Sequence, residues 1–108
     1  MSIKHFGYVV KDINKAKYLF EELGYSVFYK EIEDYDHSGT FVIKMCCAND
    51  YDIELIEDSD FSEKVYGGAT SHICVSDKID GEIICQYKDN VTMKKLNGIV
   101  FEESLWTY

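Results

Sequence analysis

The chain has 108 residues, of which 46% are hydrophobic and 15% aromatic, a composition typical of a packed globular protein. We expect a single domain over residues 1–108, long enough to bury roughly two-thirds of its unfolded surface in one core. The 11 basic and 20 acidic side chains give a net charge of -9. This charge disfavours nucleic acid and membrane surfaces as partners.

The basic residues are all lysines, so the two-pronged guanidinium that grips carboxylates and phosphates is missing from the sequence. Cys46, Cys47, Cys74 and Cys85 form no CxxC pair. No leader-like or membrane-spanning apolar run follows Met1. We therefore expect a reduced, cytoplasmic protein whose cysteines are small apolar packing residues.

The first module, about residues 1–60, has the pattern of one strand, one helix and three further strands. "HFGYVV" is the first strand, Asp12 can cap the helix that follows, and Gly24 can end it. Alternating or β-rich segments then predict strands at 25–32, 40–47 and 51–57, separated by the polar turns 33–39 and 48–50.

The second module, about residues 68–108, begins with "TSHICVS", which again places a histidine in a short apolar strand. A helix-like stretch is expected over 77–88, weakened by Gly81, and strands over 91–96 and 98–104. The chain stops four residues after the last of these strands, at "LWTY", so the second module is the shorter of the two. The recurring histidine segment indicates duplication of a βαβββ unit.

His5, His72 and Glu54 are the candidate metal ligands. Glu54 alternates with Ile53 and Leu55 in "YDIELIE", so its carboxylate projects from the opposite face of the strand. Two imidazoles and a carboxylate suit Zn²⁺, Mn²⁺, Fe²⁺, Co²⁺ or Ni²⁺. The alternative is that each histidine is a satisfied core residue.

The segments "HFGYVVKDINKAKYLFEELGY", "YDIELIE" and "SHICV" resemble successive signatures of the vicinal oxygen chelate superfamily. That superfamily includes glyoxalases, bleomycin resistance proteins, extradiol dioxygenases and methylmalonyl-CoA epimerases, and the opening motif is most similar to the epimerases. The resemblance implies an α+β fold in which paired βαβββ modules form a cup-shaped, curved mixed sheet. It also implies a divalent metal at positions matching His5, Glu54 and His72.

Two features depart from that pattern. Complete members take a fourth ligand, commonly glutamate, from the last strand of the second module. Here that strand would only be starting at "LWTY", so the resemblance implies a truncated second module. Glu102 and Glu103 are the nearest candidates here, but they are expected to lie one strand too early. An epimerase also uses a carboxylate on the third strand to move a proton, and "TFVIKMCC" has none.

Three functional hypotheses follow. The first is a metal-dependent isomerase or lyase in which Glu54 is also catalytic and the ion chelates an oxygenated substrate and stabilises an enolate. The second is a non-catalytic, bleomycin-resistance-type binding protein, with a cup lined by aromatic residues such as Tyr8, Phe41 and Trp106. The third is a degenerate copy whose sheet edge is completed by another chain. A homodimer and a small-molecule ligand are expected under all three; His37 is assigned no role.

Overall fold

The computed structural model of the chain describes residues 2–33, 40–57, 63, 65–88 and 90–105. Their elements follow in chain order as β1 (Ile3–Val9), α1 (Ile13–Glu22), β2 (Ser26–Glu33), β3 (Thr40–Cys46), β4 (Asp52–Glu57), β5 (Ser71–Val75), β6 (Glu82–Lys88), β7 (Val91–Leu96) and β8 (Ile99–Ser104). Strands β1 to β5 were each predicted to within about two residues of these bounds. Within the described residues, no helix combines the length and apolar character that crossing a membrane requires.

All eight strands form one mixed sheet in the order β2-β3-β4-β1-β5-β8-β7-β6. β1 runs parallel to β4 and β5 runs parallel to β8, whereas β1 and β5 pair antiparallel at the centre. We call β1 to β4 with α1 the first half, and β5 to β8 the second half. Each half contributes four strands in the same spatial order outward from the centre, and the predicted α+β class is confirmed.

Helix α1 covers one face of the first half and is held at both ends as the sequence predicted. The Asp12 carboxylate accepts hydrogen bonds from the backbone N–H groups of Asn14 and Lys15, each at 3.1 Å. Gly24 follows the helix with φ +98°, a conformation that glycine adopts without steric cost. The face beneath the helix is an apolar cluster built around the following buried residues: Ile13, Ile43, Met45, Ile53 and Leu55.

The helix expected over 77–88 is wrong, because residues 82–88 form strand β6. The β-branched Ile83 and Ile84 favour a strand, and β7 offers an antiparallel partner across a turn in which Asn90 has φ 64°. At Gly81 a Cβ would come within 2.8 Å of the Lys95 carbonyl oxygen, so the chain enters β6 in close contact with β7. Among the described residues, the second half therefore has a strand in place of the expected helix, and β8 takes the position expected for a strand starting at "LWTY", of which residues 106–108 lie outside the described part.

A buried ion pair occupies the face of the second half that α1 covers in the first. Lys94 Nζ donates to Glu103 Oε2 at 2.7 Å and to the Ile79 carbonyl at 2.8 Å, while the Ile79 N–H donates to the same carboxylate oxygen at 2.8 Å. Burial alone would raise the pKa of Glu103, but the Lys94 ammonium and the Ile79 N–H lower it below the ordinary value. Glu103 thus anchors the loop that replaces a helix.

The other face of the sheet carries a second apolar cluster, which joins the two halves. It consists of the following buried residues: Val42, Ile56, Val65, Tyr66, Val91, Met93 and Val100. Val65 and Tyr66 come from the connection between β4 and β5 and pack against this face. The four cysteines are free thiols, in agreement with the sequence-based expectation, and Cys74 is buried.

Candidate metal centre

Four potential metal ligands project from the four central strands of the sheet: His5 from β1, Glu54 from β4, His72 from β5 and Glu102 from β8. We call this group the tetrad. Strand register explains the convergence, because directly paired residues share a face. Gly7 pairs with both Glu54 and His72, and Cys74 pairs with both His5 and Glu102. All four side chains therefore lie on the face opposite α1.

The ligand atoms of the tetrad all lie within 4.8 Å of one another. His5 Nε2 is 3.6 Å from Glu54 Oε1 and 3.9 Å from Glu102 Oε2. His72 Nε2 is 3.7 Å from Glu54 Oε1 and 3.6 Å from Glu102 Oε1. Each imidazole thus faces both carboxylates, and no pair of these atoms is within ordinary hydrogen-bond distance.

Three buried ring nitrogens of the tetrad have no hydrogen-bond partner among the described residues: His5 Nε2, His72 Nδ1 and His72 Nε2. An unsatisfied buried polar atom normally costs about 1–3 kcal/mol, so such atoms are rare without an ion or water to satisfy them. Two donors bound about 2.1 Å from a tetrahedral Zn²⁺ lie about 3.4 Å apart. The observed separations are slightly longer, and the two-histidine, two-carboxylate donor set fits a divalent ion.

His72 is fixed between a glycine and an aromatic ring. A Cβ at Gly7 would lie 1.9 Å from His72 Cε1, so only the absence of a side chain there leaves room for the imidazole. On the other side, the Tyr66 ring stacks on His72 with centroids 4.5 Å apart and planes 21° apart. The His72 side chain is fully buried as a result. This sandwich holds the imidazole in one orientation before any ligand binds.

The pKa values of the two histidines of the tetrad shift in opposite directions. Burial lowers the pKa of His72 despite the facing carboxylates. Burial alone would also lower the pKa of His5, but the carboxylates of Glu54 and Glu102 outweigh it and raise that pKa. Burial opposes ionisation of Glu54, yet His5, His72 and Lys44 together lower its pKa. A neutral imidazole at His72 and an ionised Glu54 are the forms that bind metals.

Glu102 joins the tetrad even though sequence analysis had placed it one strand too early. Reading 77–88 as a helix removed one strand from the count, whereas β8 is the counterpart of β4 because each pairs in parallel with the histidine-bearing strand of its half. The Cys74 thiol donates to Glu102 Oε2 at 3.1 Å and so steadies this carboxylate. Glu103 points to the opposite face, where Lys94 binds it.

A cavity of about 240 Å³ lies beside the tetrad. Its polar lining comes from Lys4, His5, Lys44, Asp52 and Glu54, and its apolar wall from three further residues: Phe28, Tyr29 and Ile53. Phe28 and Tyr29 could not be predicted as lining residues from alternation, because a register shift between Val27 and Tyr29 interrupts the alternation of β2.

The three aromatic residues expected to bind a ligand are not brought together here. Tyr8 lies on the face covered by α1, where its ring is 6.0 Å from that of Phe20, so it does not line the cavity beside the tetrad. Strand alternation explains this placement, because it directs Tyr8 away from His5 and Gly7. Phe41 belongs to β3, where its backbone pairs with Glu57. Trp106 and His37 lie outside the described residues.

Comparison with known proteins gives a fold but no family. No family model matches the sequence, and no curated protein is significantly similar to it. Among solved structures, the chain is similar to methylmalonyl-CoA epimerase from Mycobacterium tuberculosis with a TM-score of 0.57 and 17% identity, over 93% of this chain and 84% of that chain. At this identity the similarity shows a shared fold and nothing further.

Proposed function

We propose that the tetrad holds a divalent metal ion and that the chain uses it to bind a small oxygenated substrate, in an isomerase or lyase reaction of the glyoxalase and epimerase type. The observation that carries this proposal is the convergence of two unsatisfied buried ring nitrogens, His5 Nε2 and His72 Nε2, and two carboxylates on one point. Direct hydrogen bonds among the four side chains do not explain that arrangement, because the facing atoms are 3.6–3.9 Å apart, whereas metal coordination would explain it. The similarity to an epimerase fold is independent support.

In this reaction the bound ion supplies Lewis-acid stabilisation of negative charge on a substrate oxygen. The chain's own residues do the rest. Glu54 faces both imidazoles, so we assign it as a metal ligand. The additional catalytic role predicted for Glu54 from the sequence is not part of this proposal. Asp52 lines the same cavity without belonging to the tetrad, so it is the carboxylate we propose for moving a substrate proton.

Metal content tests the proposal directly. Untagged protein, purified without chelators, is expected to carry close to one Mn²⁺, Co²⁺, Ni²⁺ or Zn²⁺ per chain, and its melting temperature should rise when that ion is added to stripped protein. His5→Gln and His72→Gln should abolish both effects. His37→Gln removes the third histidine of the chain and is the matched control. Wild-type protein without metal, and unmoved by any of these ions, would contradict the metal site.

A non-catalytic binding role is the second candidate, and one observation favours it. The residue of β3 that pairs with Glu54 is Lys44, so no carboxylate from the third strand faces the tetrad. If Asp52→Asn leaves ligand binding intact and no turnover of the bound compounds is detected in wild-type protein, sequestration is the better assignment. Tight binding with turnover that Asp52→Asn abolishes supports the enzyme.

We also propose that the chain forms a homodimer through an outer strand. β2 and β6 end the sheet, and each leaves one edge without a neighbouring strand in the described chain. Ile83 on β6 is 64% exposed and Phe28 on β2 is 51% exposed, so both outer strands present large apolar side chains to solvent. Sedimentation at micromolar concentration should show a dimer that Ile83→Lys weakens. A wild-type monomer would contradict this proposal.

A further inference from the structure

The cavity beside the tetrad gives access to the His5 and Glu54 side of the cluster. The side chains of His5, Glu54 and Glu102 are 9%, 13% and 12% exposed, whereas that of His72 is fully buried. His5 and Glu54 line the cavity, and His72 and Glu102 do not. A ligand reaching the tetrad through this cavity therefore passes the residues around its mouth, which include two lysines.

Lys44 is held at this approach by its neighbours in the sheet. Register aligns it with Tyr29 on one side and Glu54 on the other. Its ammonium lies 5.2 Å from the centroid of the Tyr29 ring, within cation–π distance, and 3.9 Å from Glu54 Oε2, beyond a hydrogen bond. The Lys44 side chain is 27% exposed, so the ammonium is partly desolvated yet still accessible from the cavity.

The charges around the cavity favour an anion once a divalent ion is bound. Lys4 and Lys44 bring two positive charges, while Asp52, Glu54 and Glu102 bring three negative ones. With the divalent ion, one positive charge is left in excess. The net charge of -9 on the whole chain opposes anions only weakly at this point, because salt screens charges beyond about 8 Å and the apolar wall strengthens nearby ones.

We propose that the cavity binds a small monocarboxylate with an adjacent oxygen, such as a 2-oxo or 2-hydroxy acid, and that Lys44 recognises its carboxylate. The inference rests on the proposed metal site, because the bound ion completes the charge balance. A volume of about 240 Å³ lies below the range of about 300–1,000 Å³ typical of ligand pockets, so it suits a small acid. A single excess charge matches a monoanion better than a dianion.

Calorimetric titration of the Mn²⁺-loaded full chain tests the role of Lys44 with two probes of equal size, pyruvate and its neutral analogue 2-oxopropanamide. Wild-type protein should bind pyruvate about tenfold more tightly than the amide. A carboxylate also binds a metal ion more tightly than an amide does, so a preference for pyruvate alone does not identify Lys44 as the cause. The decisive quantity is therefore the dissociation constant of the amide divided by that of pyruvate, compared between wild type and each variant. Lys44→Met should reduce that ratio at least about fivefold, and Lys44→Arg should keep most of it.

Two controls separate this inference from the proposed function. Lys15→Met makes the same change at an exposed helix position and should leave the ratio unaltered. Mn²⁺ affinity, measured on the same preparations, should stay equal or rise in Lys44→Met because a repelling charge is removed. Wild-type protein that binds no Mn²⁺ overturns both proposals. Normal Mn²⁺ binding with an unchanged ratio in Lys44→Met, or with neither probe bound, overturns this inference alone.

Discussion

The two halves of the sheet place a histidine and a glutamate at equivalent positions but support them differently. In the first half His5 is followed two residues later by Gly7, which pairs with Glu54. In the second half His72 is followed two residues later by Cys74, which pairs with Glu102. The ligand positions thus depend on strand register, which both halves keep, and not on helix α1, which has no counterpart among the described residues of the second half.

The difference at that intermediate position makes the candidate site asymmetric. Gly7 leaves space that the His72 ring fills, so His72 is sealed from solvent. Cys74 fills the corresponding place beside His5 and gives Glu102 a thiol donor, while Glu54 has Lys44 nearby instead. His72 is therefore closed off from solvent, whereas the charged cavity lies on the first-half side, beside His5 and Glu54.

The largest effect is expected from removing the ion pair that takes the place of a helix. Lys94→Met leaves the Glu103 carboxylate buried without its cation, which should lower the free energy of unfolding by about 3 kcal/mol. Lys17→Met makes the same change in the first half, where Lys17 pairs with Glu21 on the exposed surface of α1, and should cost at most about 0.5 kcal/mol. Urea unfolding measures both.

Replacing both partners sharpens that comparison. The double variant Lys94→Met with Glu103→Leu removes the buried carboxylate together with its cation, so it should recover a large part of the stability lost in Lys94→Met. Equal losses in Lys94→Met and Lys17→Met would show that the second half does not depend on this pair.

A smaller loss of stability, with a large loss of metal, is expected from filling the space at Gly7. Gly7→Ala forces its methyl group onto the His72 ring and should cost about 2 kcal/mol. Displacing a ligand should also weaken Mn²⁺ binding at least about a hundredfold. Cys74→Ala, at the equivalent position of the second half, should weaken Mn²⁺ binding by only a few-fold, since it removes one weak donor to Glu102.

Removing the His72 ring tests whether its contact with the new methyl group causes the loss of stability in Gly7→Ala. Adding His72→Ala to Gly7→Ala should restore part of the stability while leaving Mn²⁺ unbound, because the methyl group then meets no imidazole. If Gly7→Ala binds Mn²⁺ as tightly as wild type, the contact with His72 does not determine the geometry of the site.

Most of the first half could be predicted from sequence because its signals are local. Asp12 and Gly24 mark the ends of a helix, and alternation in β4 directs Glu54 away from Ile53 and Leu55. His5, Glu54 and His72 could be grouped because the histidine segment recurs. The same alternation places Tyr8 on the face opposite His5, away from the tetrad.

The second half was harder because its decisive contacts are tertiary. The segment 82–88 becomes a strand through pairing with β7. The sequence of the segment alone does not identify that partner. Because β6 was predicted as a helix, β8 was counted as the strand before the last one. Glu102 was therefore not assigned as a metal ligand. The roles of Glu102 and Glu103 also depend on which face each side chain takes, which follows from the pairing of β8 with β5.

The smallest expected effect is a difference in the free energy of unfolding between a change at the cap of helix α1 and the same change in the loop before β6. Asp12→Ala removes the acceptor of two helix N–H groups and should lower the free energy of unfolding by about 1 kcal/mol. Asp80→Ala makes the same change in the exposed loop before β6, where there is no helix end to cap, and should alter it by less than about 0.5 kcal/mol. Mn²⁺ affinity should stay unchanged in both, since the tetrad is carried by strands. A loss of metal in Asp12→Ala would mean that α1 also helps to set the register of β1 and β4.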